Sequence, residues 1–236
     1  MKYWNQDNFE GLNKIGEKYS SIAGYEDFAR YCLLKEKGLR KEANKSIENF
    51  ILSTERKNEQ EQRKIAEALS KLSYNNRNVH QLIPHQLQQF LMTVLKKWAE
   101  ADPNYAIPYR WLGFIGNDVQ SYIKALEIEP SDEISLTAVI NFHLDSVDYQ
   151  THHLSESLFI GKIGEAKESL DKAEELLKRI GSIELKEVFI KEYQYYRNLI
   201  KSWEEYKKAG YNIGFPEWVE ARGENYRFNK AYYYEK

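Results

Sequence analysis

The segment SYIKALEIEPSD, residues 121–132, decides how the surrounding chain folds. Tyr122, Ala125 and Leu126 recur at three- and four-residue spacing, which is the pattern of a helix with one apolar face. Pro130 lacks the backbone N–H that a helix interior needs, so the helix must end before it. Asp132 follows and can cap a further helix with its carboxylate. The segment therefore predicts a short packed helix, a turn and a second helix.

Helical spacing extends along nearly the whole chain, and no alternating run is long enough to predict a strand. Of the 236 residues, 42% are hydrophobic and 30% are charged, with only 5 Pro and 12 Gly, as is typical of a folded helical protein. The polar cluster at residues 74–78 is the best candidate for a break. We therefore predict an all-α chain with an N-terminal helical segment, 1–73, and a second segment, 79–236, joined in one continuous domain.

Residues 109–130 carry the spacing of two paired helices. The pattern is Tyr109-x2-Leu112-Gly113 in the first helix and Tyr122-x2-Ala125-x4-Pro130 in the second. It resembles the tetratricopeptide repeat, although Asp118 stands where that family has a small residue and Gly116 replaces an aromatic one. The pair is also about seven residues shorter than the roughly 34-residue repeat. Weaker versions of the second-helix pattern begin at Gly38 and Gly161, without a fixed interval.

The resemblance implies a fold and a binding surface. The fold is a right-handed array of antiparallel helix pairs, a tetratricopeptide-like α-solenoid, and the alternative is an irregular helical bundle. Such arrays have a concave face lined by the first helix of each pair, where Arg110, Phe114 and Asn117 are implied to project. Tyr109 and Trp111 belong to the same aromatic stretch, and aromatic and Arg side chains are enriched in protein interfaces. We expect these five residues to bind a protein.

Charge and cysteine content restrict the partners and the compartment. Lys and Arg total 34 against 36 Asp and Glu, for a formal net charge of −2 with no block of one sign. Nucleic acid is therefore not an expected partner, because its binding relies on a basic surface. No run approaches the roughly 18 apolar residues of a membrane span, and the N-terminus has no apolar signal region. With Cys32 as the only cysteine, these features favour a cytoplasmic, bacterial protein that does not bind membranes.

One row of polar side chains could form a metal site. Asp145, Asp148, His152 and Glu156 lie on one face if the helix continues to residue 156, and carboxylates with a His can bind a metal. Such a stripe is more commonly a solvated face near a helix end, and it lacks the tight spacing of H-E-x-x-H. The sequence has no phosphate loop and no nucleophile elbow, and Cys32 has no neighbouring base. We therefore predict no catalytic residue, no metal and no cofactor.

These features predict a non-catalytic scaffold that binds a protein partner in the bacterial cytosol. A particular form is an immunity or inhibitor protein that neutralises its partner. One alternative is a metal-dependent enzyme that uses the stripe at 145–156, and another is a regulator that binds a peptide or small molecule. The sequence leaves the partner and the oligomeric state undetermined.

Overall fold

The computed structural model describes residues 5–210 and 212–228, and this part of the chain contains eleven α-helices and no strand. The prediction of an all-α fold is confirmed. The first seven helices are α1 Gln6–Tyr19, α2 Glu26–Glu36, α3 Arg40–Glu55, α4 Glu59–Asn75, α5 His85–Ala101, α6 Ala106–Gly116 and α7 Val119–Ile128. The last four are α8 Glu133–Thr151, α9 Ile163–Leu177, α10 Ile183–Ala209 and α11 Phe215–Ala221.

Packing divides the chain into two compact units, Met1–Ile128 and Glu129–Lys236. The polar cluster at 74–78, where the sequence predicts a break, lies inside the first unit and connects the end of α4 to the loop before α5. Among the described residues, no helix combines the length and the apolar character that crossing a membrane requires.

Consecutive helices pack against each other in the first unit. Helix α2 contacts α1 and α3, α6 contacts α5 and α7, and α4 reaches both α5 and α6. Aromatic side chains fill the space between α1, α2 and α3, with the rings of Phe28 and Phe50 5.6 Å apart and Tyr19 5.6 Å from Phe28. Packing in consecutive pairs is compatible with a helical repeat and with a bundle.

The pair α6–α7 is built around a glycine. A Cβ atom at residue 113 would lie 2.7 Å from the ring of Tyr122, closer than two carbon atoms can approach without repulsion. Ala125, one turn further along α7, is fully buried. The helix predicted from the opening segment is therefore present, and the missing side chain of Gly113 allows the Tyr122 ring to lie directly against α6.

The second unit begins with a capped helix. The carboxylate of Asp132 accepts hydrogen bonds from the backbone N–H groups of Ile134 and Ser135, at 3.1 and 3.3 Å, and so satisfies donors at the start of α8. Helix α9 packs between α8 and α10, and α10 also contacts α8 and α11. After α9, the guanidinium of Arg179 donates to the carbonyl oxygen of Pro130, which fixes the turn that precedes α8.

Candidate functional site

The structure distributes the five predicted protein-binding residues between core and surface. Trp111 is only 1% exposed, so it packs in the core and offers no surface to a partner. Tyr109 is half-buried, and its hydroxyl donates to the carbonyl oxygen of Ala99 at 3.3 Å. Arg110 and Phe114 are partly exposed on α6, with the Arg110 guanidinium 5.9 Å from the Trp111 ring.

Asn117 ends α6 and is exposed. Its backbone is left-handed, with φ of 51°, a conformation that Asn tolerates better than most residues and that commonly ends helices. A structural role as the helix end therefore explains Asn117 without a partner. Of the five predicted residues, all but Trp111 present surface that a partner could touch: Tyr109, Arg110, Phe114 and Asn117.

Phe114 belongs to a cluster that joins α6 to the end of α4. Its ring centroid lies 5.4 Å from that of Tyr74 and 6.2 Å from that of Trp111, in edge-to-face contacts. The guanidinium of Arg77 lies over these rings, 4.3 Å from the centroid of Tyr74 and 5.8 Å from that of Phe114. Stacking of a cation on aromatic faces stabilises this arrangement. Tyr74 and Arg77 are far from α6 in sequence, and sequence reasoning did not select them.

A groove of about 300 Å³ lies beside this cluster. We call it the α4–α6 groove, and its lining comprises Ser73, Asn76, Arg77, Val79, His80, Ile83, Gln88, Phe114 and Ile115. The aliphatic side chains of Val79, Ile83 and Ile115 form its apolar part, and Arg77 and His80 are exposed beside them. Gln88 at the start of α5 donates to the carbonyl oxygen of Ile115 at 2.7 Å, which ties α5 to the end of α6.

The loop at residues 76–84, which forms one side of the groove, is attached to α1 and α2. The side-chain oxygen of Asn8 accepts from the backbone N–H of Gln81 at 3.1 Å, and the buried Tyr31 hydroxyl donates to the Gln81 carbonyl at 2.6 Å. Val79 packs directly on Gly11, where a Cβ atom would lie 2.2 Å from Val79 Cγ2. These contacts fix the position of the loop that carries Arg77 and His80.

The α4–α6 groove also has a distinctive charge pattern. Its lining includes Arg77 and no Asp or Glu. The sequence from 68 to 99, which supplies most of the lining, contains no carboxylate at all. Among the described residues, no hydrogen bond or ion pair to Arg77 is present, and its contacts are the aromatic rings of Tyr74 and Phe114. The groove is therefore apolar with an uncompensated positive charge at its edge.

In the second unit, the structure separates the residues of the predicted acidic stripe. Helix α8 ends at Thr151, and a two-residue turn separates it from a short 3-10 turn at Leu154–Glu156. His152 Nδ1 lies 2.6 Å from the carbonyl oxygen of Tyr149, whereas Glu156 lies 3.0 Å from the ring nitrogen of His153. The predicted stripe requires a continuous helix from 145 to 156, and the structure does not have that helix.

The geometry gives no support to a metal centre at this stripe. The described residues contain no group of three or more His, Cys, Asp or Glu side chains arranged to hold a metal ion. Asp148 instead accepts a hydrogen bond of 2.7 Å from the hydroxyl of Tyr196 on α10. The residues of the stripe therefore do not form a set of metal ligands in the described part of the chain.

A larger cavity, of about 640 Å³, lies between α8 and α10. We call it the α8–α10 cleft, and its lining includes Asp148, His152, Val188, Glu192, Tyr195 and Arg227. Burial raises the pKa of Glu192, and the negative charges of Asp145 and Asp148 raise it further. Burial and the hydrogen bond to Asp148 likewise raise the pKa of the Tyr196 hydroxyl. The cleft therefore combines carboxylates, phenol hydroxyls and apolar surface.

Comparisons of the chain with protein-family models, with curated proteins and with solved structures find no match. The evidence on function therefore comes from concave sites among the described residues, such as the α4–α6 groove in the first unit and the α8–α10 cleft in the second.

Proposed function

We propose that the chain is a non-catalytic, protein-binding scaffold that holds a segment of its partner in the α4–α6 groove. The observation that carries this proposal is the Arg77 guanidinium stacked on Tyr74 and Phe114 at the edge of an apolar groove. Arg and aromatic side chains dominate the binding energy of protein interfaces, because they combine large apolar area with directed polar groups. The groove brings both types together on a surface.

The resemblance to tetratricopeptide repeats supports the same proposal. Helix α6 corresponds to the first helix of a repeat, and first helices line the binding face of such arrays. Phe114, which this resemblance selects, lines the groove. The close contact of Gly113 with Tyr122 follows the small-against-large logic of the repeat, in which a small residue allows a large one to fill the space between two helices. We therefore propose a tetratricopeptide-like scaffold with one well-formed helix pair.

Quantitative capture of partners tests the proposal. The tagged chain is used as bait in a lysate of its source, and captured proteins are compared between wild type, Phe114→Ala and Leu52→Ala. Leu52 on α3 is 53% exposed in the same unit and lies outside the groove lining, so it is a matched apolar control. We expect a stoichiometric partner that Phe114→Ala loses and Leu52→Ala retains, with both variants folded by circular dichroism. No stoichiometric partner, or equal retention by both variants, would refute the proposal.

A dedicated inhibitor in the bacterial cytosol, such as an immunity protein, is one form of this function. Its motivation is a motif-free helical chain with the preformed α4–α6 groove in its first unit. Co-expression with the products of neighbouring genes tests it directly. We expect one of these products to arrest growth alone, the chain to restore growth, and Phe114→Ala to restore it less. If no neighbouring product is toxic, this form of the function is wrong.

The α8–α10 cleft favours a second candidate, a regulator that binds a peptide or small molecule. Its volume of about 640 Å³ lies within the roughly 300–1,000 Å³ of ligand pockets, and its lining mixes apolar and polar groups as such pockets do. Val188 lines the cleft and is 63% exposed, whereas Ile183 on the same helix is 74% exposed and does not line it. In a thermal-shift screen, a cleft ligand should stabilise wild type and Ile183→Glu but not Val188→Glu. Equal stabilisation of both variants would place the ligand elsewhere.

A further inference from the structure

We infer that the α4–α6 groove recognises an acidic, apolar peptide segment, in which a carboxylate binds Arg77 and a neighbouring aliphatic side chain enters the groove. This inference rests on the proposed function and names the chemistry of the partner. It follows from three properties of the groove: the contacts of Arg77, the charge of the surrounding chain, and the size of the apolar part.

Arg77 is held by aromatic rings and by no polar group among the described residues. Its guanidinium carbon lies 4.3 Å from the ring centroid of Tyr74 and 5.8 Å from that of Phe114. The N–H donors of a guanidinium lie in its plane, and a carboxylate accepts two of them in parallel. These donors make no hydrogen bond to another described residue. The side chain is thus held by contacts that leave its donors available to an anion.

The chain around the groove favours a negatively charged partner. Residues 68–99, which supply most of the groove lining, contain four Lys or Arg and no Asp or Glu, and the nearest acidic residues along the chain are Glu67 and Glu100. Asp102, a little further along, is paired with Arg63 at 2.6 Å. Complementary charge accelerates association and disfavours partners of the same charge. A basic or neutral segment would leave the Arg77 charge without a counter-ion, whereas an acidic segment supplies one.

The apolar part of the groove determines what accompanies the carboxylate. Val79 and Ile115 are only 3% and 8% exposed, so the partly exposed Ile83 and Phe114 present most of the accessible apolar surface. The volume of about 300 Å³ is at the lower end of ligand pockets. A space of this size accepts one or two side chains of a short segment and excludes a folded domain. The segment therefore carries Asp, Glu or a free C-terminal carboxylate beside an aliphatic residue.

Selection from a random heptapeptide library displayed on phage tests the inference. The baits are wild type, Arg77→Glu, Phe114→Ala and Arg30→Glu, where Arg30 is an exposed arginine on α2 of the same unit that serves as the charge control. Selected sequences are then synthesised with a fluorescent label, and their affinities are measured by anisotropy at low and high salt.

We expect wild type and Arg30→Glu to enrich peptides in which Asp or Glu neighbours Leu, Ile or Val. Arg77→Glu should weaken these peptides about tenfold or more, because a hydrogen-bonded charge pair is replaced by repulsion. The same variant should instead enrich peptides with Lys or Arg at the acidic position. Added salt should weaken binding to wild type.

The outcomes separate this inference from the proposed function. Peptides that depend on Phe114 but show no acidic preference, or keep their affinity in Arg77→Glu, would leave a binding groove and overturn the inference. Enrichment that neither Phe114→Ala nor Arg77→Glu changes, or no enrichment by any bait, would overturn both. Reversal of the charge preference by Arg77→Glu alone would support both.

Discussion

Replacing Gly113 with alanine tests whether the missing side chain sets the contact between α6 and α7. The new Cβ atom would lie 2.7 Å from Cδ2 and Cγ of Tyr122 and 2.8 Å from Cδ1. Carbon atoms prefer about 3.5–4.0 Å, so the ring or the helix must move by about 1 Å. These ring atoms are close to the Tyr122 backbone, and the side chain is only 9% exposed, so it has little room to move.

The expected free-energy change has two opposing parts. Overpacking of this kind costs about 1–3 kcal/mol, whereas alanine is better than glycine in a helix by up to about 1 kcal/mol. Gly113→Ala should therefore reduce the free energy of unfolding by up to about 2 kcal/mol. In a Tyr122→Ala background the ring is absent, and the same substitution should increase the free energy of unfolding by up to about 1 kcal/mol.

A double-mutant cycle measures this reversal. The four proteins are wild type, both single variants and the double variant, each unfolded in urea and followed by far-ultraviolet circular dichroism, with midpoints and slopes compared. The coupling energy should be about 1–3 kcal/mol, within the range for residues in contact. If Gly113→Ala has the same effect in both backgrounds, the Tyr122 ring does not set the contact, and the explanation of the α6–α7 pair is refuted.

Three further predictions follow from burial and close packing. Gly11→Ala should lower the free energy of unfolding by about 1–3 kcal/mol, because the new Cβ atom would displace the side chain of Val79. Gly164→Ala, where no atom lies within 4 Å of the new Cβ atom, should leave it unchanged or increase it, and the midpoints of urea unfolding measure both effects. The fully buried Cys32, whose pKa burial raises to about 12, should react with a disulfide reagent at pH 8 only after denaturation, and rapid labelling of the native chain would contradict this. Glu192→Gln should increase the free energy of unfolding at pH 7 and leave it unchanged near pH 4. The pKa of Glu192 is raised in the folded state, so the ionised carboxylate destabilises the folded chain only above the unfolded pKa of 4.5. An equal effect at both pH values would contradict this explanation.

Local spacing of apolar residues was sufficient to predict much of the helical structure. The segment at 121–132 predicted α7, its end before Pro130 and the cap at Asp132, and the structure has each of them. These features depend on residues within one or two turns of each other, so the sequence contains the information that determines them. Gly113 and Tyr122 both belong to the repeat-like pattern, but the contact between them was not predicted from it.

The sequence allows α8 to continue to residue 156, but the helix ends at Thr151. No Gly or Pro occurs between 145 and 156, so no local signal marks the end at Thr151. The side chain of Leu154 is fully buried, and Ser157, with φ of 59°, ends the 3-10 turn in a left-handed conformation. The burial of Leu154 depends on tertiary contacts, and the spacing of apolar residues along one segment carries no information about such contacts.

The candidate site was predicted only in part, for a related reason. Helix α6 is apolar around most of its circumference, so spacing could not assign Trp111 to the core and Phe114 to the surface. Arg77 lies in a polar cluster that the sequence marks only as a break, and its contact with Phe114 depends on the packing of α4 against α6. The absence of carboxylates from 68 to 99 is a signal that counting could have found.

The attachment of residues 76–84 to α1 and α2 affects how tightly a ligand can be held. A flexible loop loses about 1–2 kcal/mol of backbone conformational entropy for each residue that binding orders. Here Asn8 and Tyr31 already hold Gln81 in the unbound chain, so this entropy is lost during folding rather than during association. The dissociation rate of a segment bound in the groove should therefore depend on the two N-terminal helices, neither of which contributes a residue to the groove lining.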